Sequence, residues 1–190
     1  MTLSKPVKIG ILGEIRSGKD TVSQLIDYKL YQYNRNVRTQ FLAFSTGIHA
    51  VIRLTMPELY VNGKPREALQ HIGQSLRMLQ PDVWINFLFN SVDYKEAINR
   101  ECNIIVTDVR QPNEVKRLQE EGFTIIKVTA SKEARINRAI ANKDNFDESM
   151  FDHETEKVIH ECPYDYLIDN SYSIDFLEMR VDEILEEVLK

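Results

Sequence analysis

The sequence predicts an α/β fold of three layers, in which helices cover both faces of a five-stranded parallel sheet. Short apolar runs of strand length alternate along the 190 residues with segments that repeat apolar residues at helical spacing. The apolar runs are nearly continuous, which is typical of strands buried on both faces. Strands that alternate with helices join parallel neighbours through right-handed crossovers. The length suits one domain, which we assign to residues 1–190.

The first predicted unit consists of a strand, a turn and a helix. The strand is V-K-I-G-I-L at 7–12, and it ends at Gly13. After the turn, apolar residues three and four positions apart predict a helix; they are Val22, Leu25, Ile26 and Leu30. A second strand is predicted over 37–44.

The middle of the chain is predicted to be mostly helical. Proline, glycine and asparagine predict a loop over 57–65. A helix follows over 66–79, and its apolar stripe is Leu69, Ile72, Leu76 and Leu79. The opposite face carries residues at positions i, i+4, i+7 and i+11; these are Arg66, Gln70, Gly73 and Arg77. Pro81 ends this helix, and another begins within 82–92.

A third predicted strand, 103–108, ends in an acidic residue and is followed by a helix. Pro112 suits the first turn of that helix, and Gly122 suits the position just past its end. A fourth strand is predicted over 124–130.

The last part of the chain is predicted to hold two helices and one strand. The first helix covers 132–141, and the stretch 142–152 after it is polar and without periodic pattern. A short strand follows over 165–169. The apolar stripe of a terminal helix is formed by Ile174, Leu177, Val181, Ile184 and Val188.

Composition narrows the classes of partner. Lysine and arginine number 24 against 29 acidic residues, so the net charge is −5. This balance argues against binding to a nucleic-acid backbone, which needs a strongly basic surface. No apolar run approaches the length of about 20 residues that a membrane span needs. The N-terminus shows no secretory signal and Cys102 and Cys162 are far apart, so we expect a cytoplasmic protein with reduced thiols.

A phosphate-binding loop is predicted between the first strand and the first helix. Residues 13–19 read G-E-I-R-S-G-K and match the Walker A pattern G-x-x-x-x-G-K. Glycines let the loop curl so that its N–H groups point at a phosphate, and the helix N-terminus adds positive potential. Lys19 would reach the β- and γ-phosphates of a nucleotide. The motif predicts a P-loop NTPase fold with a nucleotide bound by Gly13, Arg16, Ser17, Gly18, Lys19, Asp20 and Thr21.

The position after the lysine departs from the pattern. Asp20 stands where a serine or threonine normally binds Mg²⁺, and Thr21 follows it. Asp20 can support Mg²⁺ through its carboxylate or through a bound water. We therefore expect ATP and Mg²⁺ as cofactors, with Asp20 and Thr21 as candidate metal contacts.

Four motifs together resemble one family. They are R-S-G-K-D-T at 16–21, L-Q-x-x-G-x-x-x-R before P-D-V-W within 69–84, D-V-R-Q-P-N-E at 108–114 and H-E-T-E at 153–156. In this order and spacing the chain resembles the bacteriophage-type deoxynucleoside monophosphate kinases of the P-loop kinase superfamily, from the first strand to the last helix. The resemblance implies transfer of the γ-phosphoryl group of MgATP to the α-phosphate of a deoxynucleoside monophosphate.

The resemblance also implies roles for the arginines. Arg135 and Arg138 would clamp the transferring group beside a lid at 142–152. The acceptor would bind in a helical region over about 45–95, and Arg66, Arg77 and Arg110 are its candidate contacts. Gly73 would leave room for a ligand on the helix that carries Arg66 and Arg77. The alternative for each arginine is an exposed side chain paired with a nearby acid.

Two further side chains have competing interpretations. Asp108 either holds a Mg²⁺-bound water or the acceptor, or it caps a turn or helix. Trp84 either packs in the core beside Ile85, Phe87 and Leu88 or stacks on the acceptor base, as the resemblance implies.

The segment that begins at His153 and Glu154 is not a zinc motif. Position 157 is lysine, so the second histidine of H-E-x-x-H is lacking. We expect His153 and Glu156 to anchor the lid or to cap a helix.

Three alternatives to the nucleotide kinase remain. Phosphomevalonate kinases share an S-G-K-D loop, dephospho-coenzyme A kinases share the fold, and a regulatory module could bind ATP without transferring phosphate. The expected partners are small nucleotides, and the amphipathic helices offer candidate faces for a homodimer.

Overall fold

A computed structural model describes residues 5–61, 63–142 and 154–190 of the chain, the side chains of 154–157 excepted. Five strands form one sheet: β1 (Lys8–Gly13), β2 (Thr39–Leu42), β3 (Asn103–Val109), β4 (Thr124–Thr129) and β5 (Tyr166–Asp169). The α-helices are α1 (Lys19–Tyr33), α2 (Ser45–Thr55), α3 (Arg66–Leu79), α4 (Val83–Asn90), α5 (Val92–Asn99), α6 (Pro112–Glu120), α7 (Lys132–Ala141), α8 (Glu154–Glu161) and α9 (Ile174–Val188). A short 3₁₀ helix spans Pro57–Tyr60.

The order of the strands places β1 at the centre of the sheet. The order is β2-β3-β1-β4-β5, and every neighbouring pair is parallel. From β1 the chain runs to β2 at one edge, returns to β3 between β2 and β1, and then crosses to the other side of β1 with β4. Ligands of such sheets bind beyond the carboxyl ends of the strands where the order reverses. The segment that follows β1 lies at this point.

Apolar side chains fill the space on both faces of the sheet. On one face, Ile9 and Ile11 of β1 pack in a cluster with α1 and α9, whose buried members include Val22, Ile26 and Leu177. On the other face, a second cluster joins the sheet to α2–α6 and α8. Both clusters include residues of the same strands, because successive side chains along a strand point to opposite faces of the sheet. The predicted three-layer architecture is confirmed. Among the described residues, every helix is too short or too polar to span a membrane.

The helix predictions were most accurate where the sequence carries its own boundary signals. The bounds of α3 and α7 agree with the prediction. Pro112 begins α6, where Gln111 and Glu114 form a reciprocal capping box. Gly122 follows the helix with a φ of 79°, the left-handed conformation that glycine favours at a helix end.

Two predictions differ from the structure, and a third is confirmed with added detail. The strand predicted over 37–44 is only β2, because Phe44 already has helical dihedral angles and starts the turn into α2. The helix predicted to begin within 82–92 is α4, and α5 follows it at once, because Ser91 has a ψ of 153° and its hydroxyl caps α5 at the N–H of Tyr94. Leu79 was expected in the apolar stripe of α3, yet it is 81% exposed at the last residue of that helix.

Candidate functional site

The phosphate loop joins β1 to α1 at the carboxyl edge of the sheet. Gly18 has a φ of 95°, which favours glycine. A Cβ on Gly13 would lie 2.4 Å from the carbonyl oxygen of Val128, so only glycine allows the loop to pack against β4. Arg16 also has a left-handed φ, of 60°. The two glycines of the motif are therefore required by the shape of the loop.

The loop contains polar groups that suit a bound phosphate. Lys19 is buried, and its Nζ donates to the carbonyl oxygens of Gly13 at 2.9 Å and Glu14 at 2.7 Å. The Ser17 hydroxyl is fully buried and has no hydrogen-bond partner in the part of the chain that the structure describes. A buried polar atom without a partner is costly, and a ligand oxygen would relieve that cost. Asp20 and Thr21 lie exposed in the first turn of α1.

Arg135 and Arg138 of α7 both contact the loop. Arg135 donates through Nη1 to the Glu14 carboxylate at 2.6 Å and through Nε to the carbonyl oxygen of Ile15 at 2.8 Å. Arg138 donates through Nη1 to the carbonyl oxygens of Arg16 and Ser17, both at 3.2 Å. The structure thus places both arginines beside the loop, and their predicted role at the transferring group stays a prediction. The predicted lid at 142–152 lies outside the described residues beyond position 142, as do His153 and the side chain of Glu156.

Asn170 is a loop contact that the sequence analysis missed. It follows β5, and its Nδ2 donates to the carbonyl oxygen of Ser17 at 2.9 Å. Its own carbonyl oxygen accepts from Nη2 of Arg138 at 2.6 Å. The signal that could have found it is its position directly after a parallel strand, where ligand sites of this architecture lie.

Asp108 connects β3 to the start of α2. Its two carboxylate oxygens accept from the backbone N–H groups of Phe44 at 2.8 Å and Ser45 at 2.9 Å. A carboxylate at a helix N-terminus compensates unpaired N–H groups and the positive end of the helix dipole. Of the interpretations given for Asp108, the structure therefore shows helix capping, and the capped helix lies more than sixty residues earlier in the chain.

Lys64, Arg66 and Arg110 form a cationic cluster near the end of β3. The pKa of Lys64 is lowered by partial burial and by the positive charges of Arg66 and Arg110, while Asp108 and Asp20 act in the opposite direction. These four groups therefore lie within electrostatic range of Lys64. Lys64 was missed because it stands in a predicted loop just before a proline, with no pattern around it.

His49 of α2 borders the same region. Burial, followed by the charges of Lys64 and Arg53, lowers the pKa of its imidazole. One ring nitrogen is hydrogen-bonded to the hydroxyl of Tyr60, which lies in the 3₁₀ helix. His49 therefore lies within electrostatic range of Lys64, whose charge favours the neutral form of the imidazole.

Glu114 is hydrogen-bonded to the backbone at Arg110, a member of the cationic cluster. It is buried and accepts from the N–H groups of Arg110 at 2.8 Å and Gln111 at 3.0 Å. Its other oxygen accepts from Nη2 of Arg77 at 3.2 Å. Burial, followed by the nearby charge of Asp108, raises the pKa of Glu114 to about 7. Arg77 is thus connected to the turn after β3 through Glu114, by an ion pair that joins α3 to the first turn of α6.

Two expectations for the helical region need correction. Trp84 is 2% exposed, and its Nε1 donates to the carbonyl oxygen of Gly73 at 3.0 Å. It therefore packs in the core, and its ring is not exposed for stacking on an acceptor base. Gly73 does not leave room for a ligand, because a Cβ there would lie 3.0 Å from Cδ1 of Ile48. Its missing side chain serves the packing of α3 against α2. Gln70, on the same helix face, is exposed.

Two solved structures that resemble this chain are shikimate kinases. One is the shikimate kinase from Acinetobacter baumannii in complex with shikimate, with a TM-score of 0.55 and 14% identity over 98% of this chain and 94% of that one. The other is the shikimate kinase from Bacteroides thetaiotaomicron, with a TM-score of 0.54 and 13% identity over 96% of this chain and 98% of that one. The likeness shows that the chain has the fold of these P-loop kinases. No protein-family model and no curated protein matches the sequence.

Proposed function

We propose that the chain is a kinase that transfers the γ-phosphoryl group of MgATP to the phosphate of a deoxynucleoside monophosphate. The observation that carries the proposal is the pairing of two anion sites at one edge of the sheet. The phosphate loop with Lys19 forms the first, and the cluster of Lys64, Arg66 and Arg110 forms the second. The loop follows β1 and Arg110 follows β3, and because these strands are parallel neighbours, the two sites lie at the same edge of the sheet.

The loop would bind the phosphates of ATP. Its N–H groups and Lys19 supply positive potential, and the unpaired hydroxyl of Ser17 supplies a further donor. Asp20 and Thr21 would hold Mg²⁺, whose remaining ligands are phosphate oxygens and waters. Bound Mg²⁺ neutralises charge on the β- and γ-phosphates. Within the described residues, no group of three histidine, cysteine or acidic side chains could hold a metal by itself.

Arg138 is the arginine we assign to the transferring phosphoryl group. A guanidinium has five N–H donors. Arg138 uses its two terminal nitrogens for three hydrogen bonds to backbone carbonyl oxygens, two in the loop and one at Asn170. Donors therefore remain for the charge that spreads over the phosphoryl oxygens in the transition state.

The charges of the second site favour an acceptor that carries a phosphate. A phosphate is anionic at neutral pH and needs no base to become a nucleophile. An alcohol such as shikimate, the molecule bound in one of the similar structures, must lose a proton during transfer. Asp108 is the carboxylate at the end of β3, and both of its oxygens already bind N–H groups of α2. This arrangement favours a phosphate over a hydroxyl, and with it the nucleoside monophosphates and phosphomevalonate over dephospho-coenzyme A.

ADP production from MgATP tests the proposal. Each of the four deoxynucleoside monophosphates is offered in turn, then their ribose counterparts, phosphomevalonate, dephospho-coenzyme A and shikimate. Turnover with one or more deoxynucleotides is the expected result. Turnover with phosphomevalonate or shikimate alone would replace the proposed acceptor. ATP binding without turnover on any acceptor would instead favour a regulatory module.

Replacement of Lys19 tests the phosphate loop itself. Lys19→Ala is expected to lower kcat/KM by at least about 10²-fold, because removal of one group that stabilises transition-state charge costs that much. Lys29→Ala is the matched control, since Lys29 lies on the same helix and pairs with Asp182. Turnover by Lys19→Ala at the level of the Lys29→Ala control would refute the loop assignment. Circular dichroism and thermal unfolding establish that both variants are folded.

A further inference from the structure

We infer that Arg135 acts on the phosphate loop through Glu14, as a positioning residue that neutralises and shapes the loop, and not as a contact of the transferring phosphoryl group. The inference rests on the proposed ATP binding. It gives Arg135 a different role from Arg138, although both project from α7 toward the same loop.

The position of Glu14 creates an electrostatic problem. It is the second residue of a loop that binds phosphate, and its side chain is buried. A buried carboxylate there would repel the phosphates of ATP if it had no cationic partner. Arg135 is itself 4% exposed, and its Nη1 lies 2.6 Å from Oε1 of Glu14. The pair therefore cancels the unfavourable charge inside the site. His160 is also near, with Nε2 at 3.5 Å from the same oxygen.

Arg135 also fixes the direction of a peptide group in the loop. Its Nε donates to the carbonyl oxygen of Ile15 at 2.8 Å. In a trans peptide the carbonyl of one residue and the N–H of the next point in opposite directions. The N–H of Arg16 must therefore point away from Arg135. A loop whose N–H groups are held in one direction binds phosphate without first paying the cost of ordering them.

Lys19 connects this pair to the nucleotide. Its ammonium donates to the backbone carbonyl oxygen of Glu14, while the Glu14 side chain holds Arg135. One residue thus contacts both the lysine and the arginine. Loss of Arg135 is expected to leave the Glu14 carboxylate without its guanidinium partner and to free the loop at Glu14 and Ile15.

A double-mutant cycle on ATP affinity tests the inference. Isothermal titration calorimetry measures the Kd for MgATP, without acceptor and at one pH, for the wild type, Glu14→Gln, Arg135→Ala and the double variant. Coupled residues in contact change each other's effect by about 2- to 150-fold. We expect Arg135→Ala to weaken binding about tenfold in the wild-type background and less than about threefold beside Glu14→Gln. Where turnover is measured, the loss is expected in the KM for ATP and not in kcat.

An equal loss of affinity in both backgrounds, or a loss confined to kcat, would overturn the inference and return Arg135 to the reacting phosphates. Arg100→Ala, which removes an arginine from an exposed pair with Glu96, is the matched control and is expected to bind like the wild type. If Arg135→Ala does not fold, Arg135→Lys completes the same cycle, because it keeps the charge but loses the forked contact. A wild type that binds ATP and phosphorylates nothing would refute the proposed kinase activity but not the inference about Arg135. A wild type that does not bind ATP would overturn both the proposed function and this inference.

Discussion

The titration of Glu114 should be visible in the stability of the protein. This carboxyl group is buried between the turn after β3 and Arg77, and its pKa is raised from 4.5 to about 7. The folded protein therefore holds a proton on Glu114 to a higher pH than the unfolded chain does. Unfolding releases that proton, so this group lowers the free energy of unfolding as the pH rises from about 5 to about 8.

The magnitude follows from the shift. One pKa unit corresponds to about 1.4 kcal/mol, so full ionisation of Glu114 costs roughly 3 kcal/mol, of which about 2 kcal/mol falls between about pH 5 and pH 8. Such a loss would lower the midpoint of urea unfolding by about 1 M. Other groups titrate in the same range, so the wild-type curve alone does not isolate Glu114.

Glu114→Gln removes the titrating group at nearly constant volume. Urea unfolding of this variant and of the wild type, measured at several pH values, should give two curves whose difference changes by about 2 kcal/mol across the range. Glu120→Gln on the same helix is the matched control, because its carboxylate is largely exposed, and it should follow the wild type. If the stability of Glu114→Gln keeps the wild-type dependence on pH, the pKa of Glu114 is not raised in the folded protein.

Two further substitutions test the roles that the structure gives to Asp108 and Trp84. Asp108→Asn leaves one N–H of the Phe44–Ser45 turn facing an amide group, so we expect a loss of about 1–3 kcal/mol in urea unfolding, and an unchanged stability would contradict its role as the cap of α2. Trp84→Phe loses the hydrogen bond to Gly73 and part of the packing, so we expect the free energy of unfolding to fall by about 1–3 kcal/mol while the KM for the acceptor stays unchanged. A raised KM at unchanged stability would show instead that the ring contacts the acceptor.

Local pattern was enough to predict the sheet, most helices and the phosphate loop. The apolar runs predicted all five strands, and the predicted bounds of α3 and α7 agree with the structure. The glycines of the loop could be predicted because G-x-x-x-x-G-K between a strand and a helix specifies a backbone shape. Each of these signals lies within a short segment, where hydrogen bonding and burial repeat with a fixed period.

The partners of the site's side chains could not be predicted from sequence pattern, because they depend on long-range packing. Glu14 and Arg135 are 121 residues apart in the chain, and Arg77 and Glu114 are 37 apart. No period or motif relates such positions, because their contact depends on how the helices pack on the sheet. Packing also placed Trp84 in the core, joined Lys64 to the cationic cluster and brought Asn170 to the loop. Local pattern was thus sufficient to predict the fold and the phosphate loop, whereas the pairing of charges around the loop depends on how the helices pack on the sheet.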